Sequence, residues 1–133
     1  MQHKLWQQNP PHPHDKAQSM ADNSRIRWGV LGTANIARAA LMPALQSSRN
    51  AEVVAVASRD TERAFGFATR FNIPSSYGTY EALLADPNVD VVYVPLPNSL
   101  HAPWVLKAIA AGKHVLCEKP LGLSAAECYK IGR

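Results

Sequence analysis

The run "EVVAVAS", positions 52–58, constrains this chain most. It is almost unbroken β-branched residue and alanine, with none of the polar alternation that a half-solvated strand shows. A strand of that kind is buried on both faces, the usual state in a parallel sheet with helices packed on either side. Three more apolar runs read the same way: "IRWGVL" (26–31), "VDVVYVP" (89–95) and "KHVLC" (113–117). Segments of helical period separate them. Strand and helix in alternation predict an α/β fold with a doubly wound parallel sheet.

The helices carry their own punctuation. "NIARAAL" opens one, and Pro43 is expected to end it and start a second piece, "PALQSS". "TERAFGFATRF" puts Ala64, Phe67, Ala68 and Phe71 on one face. Thr79 is placed to cap "YEALLA", and Ser124 to cap the last helix. "PWVLKAIAAGK" has Pro103 in its first turn, a Trp104–Val105–Ala108–Ile109 stripe and Gly112 as its stop.

Some function classes are excluded early. The net charge of +4 is scattered, with no basic run, so no nucleic-acid partner is expected. No apolar run approaches the roughly 18 residues of a membrane helix. Cys117 and Cys128 have no metal-ligand spacing and suit a reduced, cytoplasmic setting. Residues 1–24 are polar, with Pro10, Pro11 and Pro13 close together, and read as a disordered tail. His3, His12 and His14 belong to that tail rather than to a metal site, and Met20 is a candidate true start.

In a parallel sheet of this kind, ligands bind outside the carboxyl ends of the strands. "GTANIA" follows the first strand and opens a helix, the context of a dinucleotide-binding turn. Gly32 supplies the tight turn. Ala37 is an accepted substitute for the third glycine; Ala34 is the one departure, affordable if its φ is negative. Thr33 and Asn35 can add side-chain bonds to phosphate, and the helix start presents N–H groups to an anion. A plain strand–turn–helix corner would have the same pattern.

The second strand ends at "SRDTER". No acid stands where an NAD site would hold the ribose. Ser58, Arg59 and Arg63 suit a 2′-phosphate instead, because guanidinium forks match phosphate geometry. That favours NADP over NAD; a solvated arginine pair is the bland alternative. Asp60 reads as a helix cap. After the next strand, "VPLPNSLH" fixes a rigid edge with Pro95 and Pro97. Asn98 and His101 then either face the crevice or serve the helix cap. In "VLCEKPLG", Glu118 and Lys119 directly follow an apolar strand. Pro120 restrains the Lys119 backbone, and their peptide bond is a candidate cis bond. An amine there can donate to a substrate oxygen, and partial burial would lower its pKa.

Taken together, "GVLGTANIA", "AVASRD", "VYVPLPNSLHAPWV" and "AGKHVLCEKPL" resemble the glucose–fructose oxidoreductase / inositol dehydrogenase (Gfo/Idh/MocA) family, from about Ile26 to the last residue. The resemblance implies a Rossmann-type fold. It also implies an oxidoreductase moving hydride between a nicotinamide and a sugar-like hydroxyl or carbonyl. It assigns Gly32, Thr33, Ala34, Asn35 and Ile36 to the pyrophosphate, and Ser58, Arg59 and Arg63 to the adenosine ribose. Leu96, Pro97, Asn98 and His101 would lie along the nicotinamide side. Glu118 would bond the nicotinamide ribose, and Lys119 would touch both that ribose and the substrate, orienting the reacting oxygen and helping its proton move.

That family also has a C-terminal α+β domain carrying the substrate pocket and most of the oligomer interface. The sequence stops at Arg133, before any such region. The expectation is therefore an NAD(P)-binding domain over 25–133 that holds cofactor without full activity. Substrate turnover and homo-oligomer formation would belong to a longer parent. A non-catalytic NAD(P)-binding sensor or regulatory module is the rival reading, and a nonfunctional truncated product the third.

Overall fold

A computed structural model of the chain describes residues 25–133. The readings of 1–24 as a tail, of its histidines and of Met20 lie outside the described residues. Five strands form one sheet: β1 (Ile26–Leu31), β2 (Ala51–Ala57), β3 (Ser75–Tyr77), β4 (Val91–Val94) and β5 (His114–Cys117). All pairings are parallel and the order is β3-β2-β1-β4-β5. The order reverses beside β1, so a crevice opens between the loops that follow β1 and β4. This is the doubly wound Rossmann-type sheet that the alternating pattern predicts.

The helices are α1 (Met42–Gln46), α2 (Thr61–Phe71), α3 (Tyr80–Leu84), α4 (His101–Ala110) and α5 (Ala125–Ile131). Side chains that alternate along the strands divide the core into two layers. Val30, Val56 and Tyr93 point to one face, where Ala37, Met42, Phe67 and Ala68 cover them. Leu31, Ala55, Ala57, Val92 and Val94 point to the other, against Tyr80, Leu83, Val105 and Ala108. Fully burying a side chain of this size contributes about 1.5–3 kcal/mol, so these two layers dominate the fold's stability.

Caps set several helix starts. Asp60 accepts from the N–H groups of Glu62 and Arg63, Thr79 from Ala82, and Ser124 from Glu127. Gly112, at φ +77°, follows the end of α4 as expected.

Three local expectations need correction. Pro43 does not end the first helix: residues 35–46 are continuous, and Ala37–Leu41 is a π-helical segment. The Met42 N–H bonds Ala37 O, five residues back. That wider turn gives the proline ring room where a regular helix would drive it into the carbonyl four residues earlier. β3 carried no signal, being three half-buried residues on the sheet edge. Finally, Ile109 is 47% exposed; the buried face of α4 is His101, Ala102, Val105 and Ala108.

Candidate functional site

The loops after β1, β2 and β4 meet in a cavity of about 430 Å³ at the carboxyl rim of the sheet. Gly32, Thr33 and Ala34 form one side, Ser58, Arg59 and Arg63 another, and Leu96 and Pro97 a third. Eight of the residues singled out from sequence thus share one space. Asp60, Tyr80 and Pro95 complete the lining. In sequence Pro95 reads only as an edge, Asp60 as a cap and Tyr80 as part of a helix, because nothing local places them in the crevice.

Gly32 has φ +94°, and its N–H donates to Ala57 O at 2.7 Å. The positive φ favours glycine, and a Cβ there would lie 3.0 Å from Leu96 Cδ2, so the leucine side chain would have to yield by a few tenths of an ångström. Among the described residues Asn72 is the only non-glycine with positive φ, so Ala34 carries its methyl without strain. The Arg38 N–H bonds Ala34 O at 3.3 Å. The N–H groups of the three residues before Arg38 therefore have no partner within the helix.

Ser58 is buried, 6% exposed, and its Oγ accepts from Asp60 N–H at 3.3 Å. Arg59 and Arg63 are exposed. Among the described residues the ion pairs are Arg27–Asp90 and Lys107–Glu81, neither of them in the crevice. Asp60 is the one carboxylate in the lining, and the backbone N–H groups at the start of α2 engage it.

Glu118 and Lys119 follow β5, one strand beyond β4. The Glu118 N–H donates to Val94 O at 3.2 Å, which extends the ladder by one residue. Gly32 and Lys119 consequently stand on the same rim, since every strand runs the same way. Neither Glu118 nor Lys119 lines the cavity itself, nor do Asn35, Ile36, Asn98 and His101. Lys119 is exposed rather than partly buried. Its peptide bond to Pro120 is cis.

Two side chains lie behind this rim. Tyr93 is 2% exposed, and its hydroxyl donates to Glu118 Oε1. Burial and the Glu118 carboxylate push the phenol well above its usual value, so it stays a donor. The only sequence signal was a polar tip within an apolar strand. His101 does not face the crevice. It is 1% exposed, with Nδ1 2.5 Å from Pro120 O and Nε2 2.5 Å from Leu96 O. It joins the loop after β4 to the loop after β5 from inside. The capping roles open to Asn98 and His101 are also absent, as neither the Asn98–Leu100 3-10 turn nor α4 has a side-chain cap bond.

Among the described residues no helix is long and apolar enough to cross a membrane. No group of three or more His, Cys, Asp or Glu among them could hold a metal ion.

Residues 26–133 match the model of an oxidoreductase family with an NAD-binding Rossmann fold, GFO_IDH_MocA. A D-xylose 1-dehydrogenase (NADP(+)) of Haloferax volcanii is 55% identical over 106 residues, covering 80% of this chain and 32% of the relative. A trans-1,2-dihydrobenzene-1,2-diol dehydrogenase of Mus musculus is 50% identical over 108 residues, with the same coverage. Among solved structures, a 3-ketoreductase from Actinomadura kijaniata in complex with TDP-benzene and NADP superposes with a TM-score of 0.79 at 45% identity. That superposition covers 82% of this chain and 34% of the other. The chain thus spans about a third of the length of the relatives it matches.

Proposed function

The chain belongs to the Gfo/Idh/MocA oxidoreductase family, and from that premise we propose that it is the cofactor-holding part of an NADP-dependent oxidoreductase acting on a sugar-like hydroxyl or carbonyl. The observation that carries this reading is the single cavity shared by the glycine turn, Ser58, Arg59, Arg63 and the Leu96–Pro97 edge. Its donor set fits a phosphorylated dinucleotide: a backbone turn that only glycine can make, a helix start with free N–H groups, and open guanidinium forks.

In this reading the turn residues Gly32 to Ile36 bind the pyrophosphate through backbone N–H groups, and Thr33 adds a hydroxyl. Ser58, Arg59 and Arg63 hold the ribose phosphate. No carboxylate other than the cap Asp60 is present there to accept from a free 2′-hydroxyl, which supports NADP over NAD. Leu96, Pro97 and Asn98 form the edge toward the nicotinamide, and His101 fixes that edge from behind. The bound nicotinamide would supply the hydride chemistry. Glu118, oriented by Tyr93, bonds the adjoining ribose. Lys119 donates to the substrate oxygen and steadies its charge as the proton moves.

Titration calorimetry of the chain with NADP and with NAD tests this. NADP is expected to bind at least tenfold more tightly, a difference of about 1.4 kcal/mol. Equal or reversed affinities would defeat the cofactor assignment.

A further inference from the structure

A second cavity, of about 380 Å³, opens beside the crevice between the 35–46 helix and α2. Arg38 contributes from the first helix, Arg63 and Arg70 from α2, and Thr33, Gly66 and Phe67 line the rest. Arg63 and Arg70 are seven residues apart and so share a helix face, while Arg38 reaches toward them from across the gap. No carboxylate lines this space. Thr33 and Arg63 border both cavities, so the two lie side by side.

Two of these guanidiniums already have an oriented position without losing their charge to an acid. Arg38 Nη2 donates to the Asn35 side-chain oxygen, and Arg70 lies 5.4 Å from the centre of the Phe71 ring. Asn35 and Phe71 are neutral, and no ion pair among the described residues involves Arg38, Arg63 or Arg70. Gly66 adds a separate indication. Glycine is a poor residue for a helix interior, and a Cβ at Gly66 would meet nothing within 4 Å. Packing therefore does not require it, and without a side chain it takes no space from the cavity that it lines. Three like charges around an open cleft repel one another, and a multiply charged anion relieves that repulsion.

We infer that Arg38 is a specificity-determining residue: with Arg63 it closes on the phosphomonoester of the adenosine ribose from the side opposite Arg59, while Arg70 supplies an outer charge that draws the phosphate in. This rests on the NADP reading above and extends it to a helix that lies outside the "SRDTER" segment. A dinucleotide without that phosphate gains nothing from Arg38, so the residue separates the two cofactors rather than strengthening both.

The experiment measures dissociation constants of the full chain for NADP, NAD, adenosine 2′,5′-bisphosphate and AMP at low and high salt. Wild type is compared with Arg38→Gln, Arg38→Ala, Arg70→Ala and Arg63→Ala. Arg38→Ala is expected to weaken NADP and the bisphosphate about tenfold and to leave NAD and AMP within about twofold. Arg38→Gln should fall between. Arg70→Ala should cost about threefold at low salt and little at high salt, as a screened outer charge does. Because all three arginines are exposed, circular dichroism should show unchanged folding. If Arg38→Ala leaves the NADP-to-NAD ratio intact while Arg63→Ala collapses it, the inference is overturned and the NADP reading stands. Equal weakening of both cofactors also overturns it. A wild-type chain that fails to discriminate NADP from NAD defeats both.

Discussion

The two rims of the sheet use similar residue types in opposite states. At the amino-terminal rim, charge is consumed inside the fold. Arg27 donates through its backbone N–H, Nε and Nη2 to both oxygens of Asp90, at 3.0 to 3.1 Å. Lys113 Nζ donates to the carbonyls of Asp86 and Val89, each at 2.7 Å. The Asp86 carboxylate accepts from the Tyr77 hydroxyl and from Asn88 N–H. At the carboxyl rim, Arg59, Arg63 and Lys119 are exposed and have no ion-pair partner among the described residues. A cation paired within the protein contributes to folding, and one left open in a concave site contributes to binding an anion. On the proposed function, the contrast would put stability on one rim and ligand affinity on the other.

The largest effect that could break this assignment comes from the open rim. Replacing both Arg59 and Arg63 by Ala is expected to weaken NADP binding about a hundredfold, near 2.7 kcal/mol, through loss of two charge-assisted contacts. The melting free energy should change by no more than about 0.5 kcal/mol, as for other exposed substitutions. Calorimetry and chemical denaturation on the same preparation check both halves. A large loss of stability with affinity intact would invert the assignment.

The reciprocal change at the closed rim is Asp86→Ala. Asp86 is 9% exposed, and its removal leaves the Tyr77 hydroxyl and the Asn88 N–H without their acceptor. The expected cost is about 2 kcal/mol in urea denaturation. NADP affinity at 100% folded protein should be unchanged within about twofold.

Acid sharpens the same comparison. The Tyr77 hydrogen bond holds Asp86 below the ordinary carboxylate range, and the hydrogen bond from Arg27 does so for Asp90. A carboxylate depressed in the folded state contributes stability above its unfolded pKa, near 4, and that stability is lost as pH falls through the folded value. Denaturation midpoints should thus be flat around neutrality and drop below about pH 4. Asp90→Asn should flatten the acid limb only partly, by about 1 kcal/mol or less, because the Arg27–Asp90 side chains are 38% and 39% exposed and solvent screens them.

What could be read from sequence follows the same division. Gly32 and Ser58 were legible because a turn after an apolar run fixes them locally, and the sheet needed only the alternation of runs. Arg38 and Arg70 were not, since they come to line one cavity only when two helices pack on one face of the sheet. Nor was the inward turn of His101: a histidine after a proline-rich strand end looks the same in sequence whether it faces solvent or two carbonyls. Pro43 misled for a related reason. A proline signals a break, but a π-turn that absorbs it leaves no mark in the residue pattern.

Tyr93 tests the boundary between the two roles, because it lies in the core yet points its hydroxyl at the open rim. Tyr93→Phe keeps the ring that packs among Val30, Val56 and Phe67 and removes only the donor to Glu118. If that hydroxyl serves the fold alone, the variant loses about 1 kcal/mol of stability and binds NADP as before. If it orients Glu118 toward the nicotinamide ribose, the stability loss is accompanied by about threefold weaker binding of NADP, while adenosine 2′,5′-bisphosphate, which lacks that ribose, binds unchanged. The second outcome is expected. Glu118 sits beyond the last ladder bond of β5 and has no other side-chain partner among the described residues to fix its carboxylate. Equal effects on both ligands would instead place the hydroxyl's influence on the adenosine side.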